Sequence, residues 1–379
     1  MQSEPVSPQR VAGSGFIFWP GNSQTNHGIP SIQLGRLTPE ALGIIRDERV
    51  GNVHIAQFWH DDGTGLEFLK EFADHITGLS ISAESIRDLS VVHHLPNLSK
   101  LSVSCSVEGV DFARLPQLRS CSLEHPASLG NVGECPALDD LALVKMRTRD
   151  LTALRGLTVL RQLYLSECMS LASLAGIEGL PLEKVQLLYL SRLLSIAPLA
   201  GAKHLREFEV LSCKKVTDVA RLGACSALRD LRIFGPLLPS LDFVGGLSEL
   251  EWFALARNAI GTGDASVAPL TRLMQLRHLS LWDVKNVVDI ERLAEIASLE
   301  HLVIGNGPVI PTLAFLRPLK NLRSVVILKT RIVDRDLSTL LDLPCLERVS
   351  KLTPARPTFS PSLQELNALL QARRGAAQA

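Results

Sequence analysis

Between Asn97 and Ser350 one short frame recurs twelve times: an apolar residue, two variable positions, a second apolar residue, one variable position and a third apolar residue. Leu276, Leu279 and Leu281 form the cleanest copy, with Leu98/Leu101/Val103, Leu160/Leu163/Leu165 and Leu228/Leu231/Ile233 among the others. Ile76/Leu79/Ile81 adds a thirteenth copy upstream, and Val50/Val53/Ile55 reads as a worn fourteenth. From Leu79 to Val349 the middle residues follow one another at steps of 20 to 26. Side chains alternate along a strand, so the second and third apolar residues of each frame point the same way. No single coil can bury that row. Stacking coils buries it against its neighbours and pairs the short strands into a parallel sheet.

A frame of this spacing and period resembles the leucine-rich-repeat superfamily, and the short repeats look most like bacterial internalin-type repeats. The resemblance runs from Ile76 to Leu352. It implies an α/β solenoid: a leucine-rich-repeat horseshoe with a concave parallel sheet and short helices or irregular turns on the convex side. It also implies a departure. Five residues after the middle anchor the family carries an asparagine or cysteine that caps backbone groups in the turn. Here Asn258, Cys168 and Cys213 fill that place, against Glu84, Met146, Leu190, Pro236, Val284 and Thr330 elsewhere. The expected organisation is an N-terminal tail and cap over 1–75, a repeat array over 76–352, and a linker with a C-terminal helix over 353–379.

The flanks read as closures for the open ends of that leucine core. Met1 to Ser14 has the composition of a loose tail, and Phe16 to Trp19 of a strand ended by the turn signal Pro20-Gly21-Asn22. Thr38-Pro39-Glu40 opens a helix to about Arg46, with threonine as N-cap and proline at the first position. Leu66, Leu69 and Phe72 fit a second short helix. Ile290 to Ala297 and Asp336 to Asp342 carry helical spacing inside the array, and Gly261 to Asp264 reads as a loop insertion. Thr353 to Thr358 breaks the array. Ser360-Pro361 then starts an amphipathic helix with Leu363, Leu366 and Leu370 on one face and Gly375 as stop; it covers the last coil or docks on a partner.

Charge and chemistry narrow the function classes. With 39 basic and 39 acidic residues, the chain has no electrostatic bias towards nucleic acid or acidic membranes. Its most apolar window, Leu187 to Ala202, is broken by Arg192 and Pro198 and carries repeat leucines, which makes it core and not a span. Met1 to Arg10 shows no secretory run. Seven cysteines, an odd number with no paired cluster at either end, point to a reduced, cytoplasmic protein. Cys121, Cys135 and Cys225 stand at leucine positions, Cys105 and Cys345 are scattered. Motifs for phosphate, zinc or a nucleophile elbow are absent from the sequence. His60-Asp61-Asp62 beside Gly63 reads as a solvated turn, Gly13-Ser-Gly15 as a loop, and His93-His94 as convex surface. No catalytic residue, cofactor or metal ligand is expected.

The concave face is the readable surface. Positions −1, +1 and +3 about each middle anchor point out of it. Early coils offer Ser80, Ser82, Ser102, Ser104, Ser120 and Ser122. The middle coils offer Tyr164, Leu188, Leu211, Phe234, Trp252 and Trp282 among Glu207, Glu209, Asp230, Arg232, His278 and His301, with Tyr189, Arg257 and Asp283 one place further on. Aromatics and arginine set among charge are the composition of binding hot spots, whereas some of these rings could instead pack between coils. The expected partner surface is Tyr164, Leu188, Tyr189, Glu209, Leu211, Asp230, Arg232, Phe234, Trp252, Arg257, His278 and Trp282.

The reading is a non-catalytic scaffold, monomeric alone, that grips another protein. Alanine, arginine and leucine usage looks bacterial, and an immunity protein against a toxin or an enzyme regulator would fit. A translocated effector is the alternative, as is a carbohydrate or small-ligand binder stacking on Trp252 and Trp282. An enzyme built on the segment from Trp19 to Asp62 is a third.

Overall fold

A computed structural model describes residues 9–10, 15–20, 28–60, 65–106, 108–126, 128–256, 265–284, 286–350 and 359–378. Outside them lie most of the expected tail (1–8 and 11–14), Gly21 and Asn22 of the turn signal, and Asp61 to Gly63. Arg257, Asn258, the Gly261 to Asp264 insertion and Thr353 to Thr358 also lie outside the described residues. The chain divides into two compact units, Met1–Leu171 with Ala175–Pro181, and Ala172–Leu174 with Leu182–Ala379.

In the first unit, β1 (Gln9–Arg10), β2 (Phe16–Trp19) and β3 (Ser31–Arg36) pair antiparallel in chain order. Gln9 and Arg10 are therefore strand, not loose tail. Helix α1 (Pro39–Asp47) follows, its Thr38 Oγ1 accepting from the Ala41 amide at 3.2 Å and its Ala41 and Ile45 buried. Next come β4 (Asn52–His60), β5 (Gly78–Ile81), β6 (Lys100–Val103), β7 (Ser120–Glu124), β8 (Asp140–Val144) and β9 (Gln162–Ser166). From β3 onwards each strand is parallel to the next. Val53 pairs with Leu79 and Ile55 with Ile81, so the worn copy is a full rung, and Ile32 and Leu34 add one more before it. The ladder thus starts two strands ahead of Ile76.

The second unit repeats the scheme: β10 (Lys184–Leu188), β11 (Glu207–Leu211), β12 (Asp230–Phe234), β13 (Trp252–Ala256), β14 (Ala265–Ser266), β15 (His278–Trp282), β16 (Val287–Val288), β17 (His301–Gly305), β18 (Ser324–Leu328) and β19 (Arg348–Ser350). All except β14 and β16, which pair only with each other, form one parallel ladder. Val185, Phe208, Leu231, Phe253, Leu279, Leu302, Val325 and Val349 stand in register as one buried row, and Leu187 to Ile327 as the second. Each such side chain contributes about 1.5–3 kcal/mol by leaving water.

The connections are 3₁₀ turns where the sequence spacing reads as helix. Glu67–Phe72, Ile290–Glu295 and Ser338–Asp342 are all of this type. The reason lies in the spacing: Leu66/Leu69/Phe72, Leu293/Ile296 and Leu337/Leu340 are three apart, the period of a 3₁₀ helix, and a short coil has little room for more. Helix α2 (Leu363–Gln378) closes the second unit. It is capped by Ser362 and not by Ser360: Ser362 Oγ accepts from the Glu365 amide, and Glu365 Oε2 accepts from the Ser362 amide. It also runs through Gly375, which does not stop it. Leu366 and Leu370 are buried, Asn367 meets both the N–H and the C=O of Val349, and Arg373 donates to the carbonyls of Leu341 and Leu346. These contacts place α2 over the last coil.

Turn chemistry after each strand is more uniform than the residues there indicate. The residue four past the middle anchor takes a left-handed conformation in coil after coil: His125, Lys145, Glu167, Tyr189, Ser212, Asp283, Asn306 and Lys329 at φ 45–58°, and Gly235 at 110°. Its amide then donates to the carbonyl at the end of the next strand, as from Tyr189 to Leu211, Ser212 to Phe234 and Asp283 to Gly305. One residue on, Cys168 donates to the Leu143 and Ser166 carbonyls, and Cys213 to those of Leu187 and Leu211. Thr330 does the same with its hydroxyl, towards Ile304 and Leu328, while accepting from the Gly307 amide. Thr330 therefore belongs with the capping residues and not with the departures.

Candidate functional site

Opposite the buried rows, the open face of the second unit carries three rows in register. At −1 stand Glu207, Asp230, Trp252, His278 and His301, one from each of β11, β12, β13, β15 and β17. At +1 stand Gln186, Glu209, Arg232, Ala254, Ser280 and Val303, and at +3 stand Leu188, Leu211, Phe234, Ala256, Trp282 and Gly305.

The −1 row is a stack. Trp252 and His278 lie with ring centroids 4.2 Å apart and planes 17° from parallel; His278 and His301 follow at 4.4 Å and 8°. Neighbouring strands stand about 4.8 Å apart, so flat rings at one position of successive coils meet face to face. From the β12 side the Arg232 guanidinium lies 5.2 Å from the Trp252 ring centre. Asp230 holds that guanidinium through two bonds, at 2.9 and 2.7 Å, and this pairing raises the pKa of Arg232 above its ordinary value. Trp252, 37% exposed, thus has one ring face against His278 and the other under Arg232. Its edge faces solvent. It does not offer the open ring face on which a sugar would stack.

Burial and, after it, the neighbouring His301 hold the His278 pKa below its ordinary value. Beside it, Lys184 pairs with Glu207 at 2.7 Å and Gln186 donates to Glu209 at 2.9 Å.

The +3 row is apolar. Leu188, Leu211 and Phe234 are half-buried, and Trp282 is 36% exposed. Trp282 lies against the backbone of Gly305, where a Cβ would stand 2.3 Å from its ring. Only glycine lets the indole settle there. Between Trp252 and Trp282, Ala254 and Ala256 are buried and leave the face low. Tyr189, 44% exposed, stands at the strand exit in the left-handed conformation.

Of the expected partner residues, Leu188, Tyr189, Glu209, Leu211, Asp230, Arg232, Phe234, Trp252, His278 and Trp282 share this face of the second unit. Tyr164 belongs to β9 of the first unit, half-buried, and Arg257 lies outside the described residues. His301 and Gly305 complete the surface. The alignment of −1 positions 252, 278 and 301 was the signal for the first; nothing in the frame marks the second. Among the described residues no group of three histidine, cysteine or acidic side chains is placed to hold a metal, and no helix is long and apolar enough to cross a membrane.

Parallel rungs in register, two buried rows per rung and a left-handed turn repeated after β7 to β12 and after β15, β17 and β18 define a leucine-rich-repeat solenoid. The chain is similar in structure to an internalin from Listeria monocytogenes, with 21% identity and a TM-score of 0.63 over 84% of this chain and 90% of that one. It is also similar to a leucine-rich-repeat protein of Leptospira interrogans, at 14% identity and a TM-score of 0.51 over 84% and 93%. No protein-family model and no curated protein sequence matches the chain.

Proposed function

We propose that this protein is a non-catalytic scaffold that holds a partner protein against the open face of its second unit. One observation carries the reading: a stack of Arg232, Trp252, His278 and His301 runs across four successive rungs, parallel to an apolar row ending in Trp282. Rings and an arginine fixed before any partner arrives lose little freedom on binding, which is what hot-spot residues require. Of the neighbouring carboxylates, Glu207 and Asp230 are paired with Lys184 and Arg232, and Glu209, held by Gln186, would favour a basic group on the partner.

The role that fits is an immunity protein or an enzyme regulator that silences its partner by covering it. The cytoplasm is the proposed compartment, because all seven cysteines are free thiols. Burial pushes the Cys213 thiol up to about 11 and raises Cys121 further, so neither is poised to ionise.

The test is capture from lysate of the source cell, identification of the retained protein, and titration of that purified protein against wild type and a Phe234→Ala/Trp252→Ala variant. Loss of roughly 100-fold in affinity, about 2.7 kcal/mol, is expected. A retained protein that binds both forms equally would sink the assignment.

A further inference from the structure

A second departure from a flat open face lies away from the aromatic stack, in the first unit. Over β3 to β7 lies a hollow of about 490 Å³, the size range of small-ligand pockets. Its origin is plain in the sequence: successive rungs carry Gly78, Ser80, Ser102, Ser120 and Ser122 where bulkier residues would fill the space. One wall comes from outside the repeats, where Trp19 and Ile29 stand against it.

The floor has a specific chemistry. His54, Ser80, Ser102 and Ser122 occupy one row in register, a rung apart, about 4.8 Å. Among the described residues, the hydroxyls of Ser80, Ser102 and Ser122 have no hydrogen-bond partner. Ser120, by contrast, donates to Asp140, and Ser31 accepts from Asn52. Burial lowers the His54 pKa, and its Nε2 lies 3.2 Å from the Ser82 hydroxyl. Among the described lining residues Lys100, exposed at the rim, is the one charged side chain.

A hollow whose floor is uncharged, with a line of hydroxyls each able to donate and accept and an indole on one wall, matches a ligand with the same features: hydroxyls on one edge and an apolar ring face. Charged ligands find no counter-charge on the floor. We propose that this hollow of the first unit binds a small neutral saccharide of one or two rings. It is a second site, separate from the protein-binding surface, and it stands or falls without it.

The experiment uses the full chain and a panel of neutral mono- and disaccharides (glucose, galactose, mannose, N-acetylglucosamine, maltose and cellobiose) at about 10 mM, read by saturation-transfer NMR and then titrated. Two variants accompany it. Ser80→Ala/Ser102→Ala/Ser122→Ala removes the hydroxyls without adding bulk, and Ser102→Leu fills the hollow while leaving the other two hydroxyls in place. At least one sugar should bind wild type, and each variant should weaken it by roughly tenfold or more at unchanged melting temperature. No sugar bound at that concentration overturns the proposal. So does a sugar that binds all three proteins alike, or uncharged tripeptides that compete for the hollow more tightly than any sugar.

Discussion

The stack on the second unit can be tested without knowing any partner. Removing the Trp252 ring deletes two contacts at once, one with His278 at 4.2 Å and one with the Arg232 guanidinium at 5.2 Å. An aromatic pair near parallel contributes about 0.5–1.5 kcal/mol beyond its area. A cation over a half-exposed ring contributes about 0.5–1 kcal/mol, here at the low end because Asp230 already engages the guanidinium. Urea unfolding of Trp252→Ala, His278→Ala and the double variant should therefore give a coupling near 1 kcal/mol, and the Arg232→Ala/Trp252→Ala cycle about 0.5 kcal/mol. The internal control is Phe234→Ala/Trp252→Ala. Phe234 stands opposite Ala256, at the other end of the strand from Trp252, so these two should add within about 0.3–0.5 kcal/mol. A Trp252–His278 coupling no larger than that control would refute the stack as an energetic unit, and the surface would then be a set of independent side chains.

Three further outcomes follow from the coils. Thr330→Val keeps the shape but strands the Gly307 amide, and should cost about 1–3 kcal/mol in urea unfolding, with Thr330→Ser costing less because it keeps the hydroxyl. Equal costs would mean that packing, not the hydrogen bond, is what matters there. His54, His93 and His278 all have pKa values lowered in the folded state, burial being the first cause for each. The folded chain then binds fewer protons than the unfolded one below the ordinary histidine value. Stability should be full above about pH 6.5 and decline as pH falls through the lower folded-state values, and a flat profile between about pH 7 and 5 would contradict this. Asn367→Ala leaves the N–H and C=O of Val349 unmet and should cost about 1–3 kcal/mol, with faster hydrogen exchange at the Val349 amide as the local readout.

Much of this architecture was open to a reader of the sequence, because the buried rows obey a strict two-residue alternation that nothing else in a chain imitates. The frame failed only where an anchor was missing: Ile32 and Leu34 have the alternation without the leading leucine, and that rung is visible only through its pairing with Val53 and Ile55. Helix type was legible in hindsight from triplet spacing, since Leu66, Leu69 and Phe72 lack the i, i+4 partner an α-helix would use. The binding surface was half legible. Alternation told which residues leave the core, but not that Trp252, His278 and His301 would lie flat on one another, since that depends on side-chain rotation. Nor did it tell that Gly305 is shaped to receive Trp282. The hollow is hard to read from sequence because serines look like an absence of features, and a cavity is made of what side chains leave out.

The left-handed residue that follows β7 to β12, β15, β17 and β18 has a wider meaning. Histidine, lysine, glutamate, tyrosine, serine, glycine, aspartate and asparagine all serve there, because the bend is held by the backbone amide reaching the next coil and asks nothing of the side chain. Their side chains form a column along the rim of each unit that can be rewritten one coil at a time while the scaffold stays the same. A new specificity could be written into that column, letter by letter, without reopening the problem of how the chain folds.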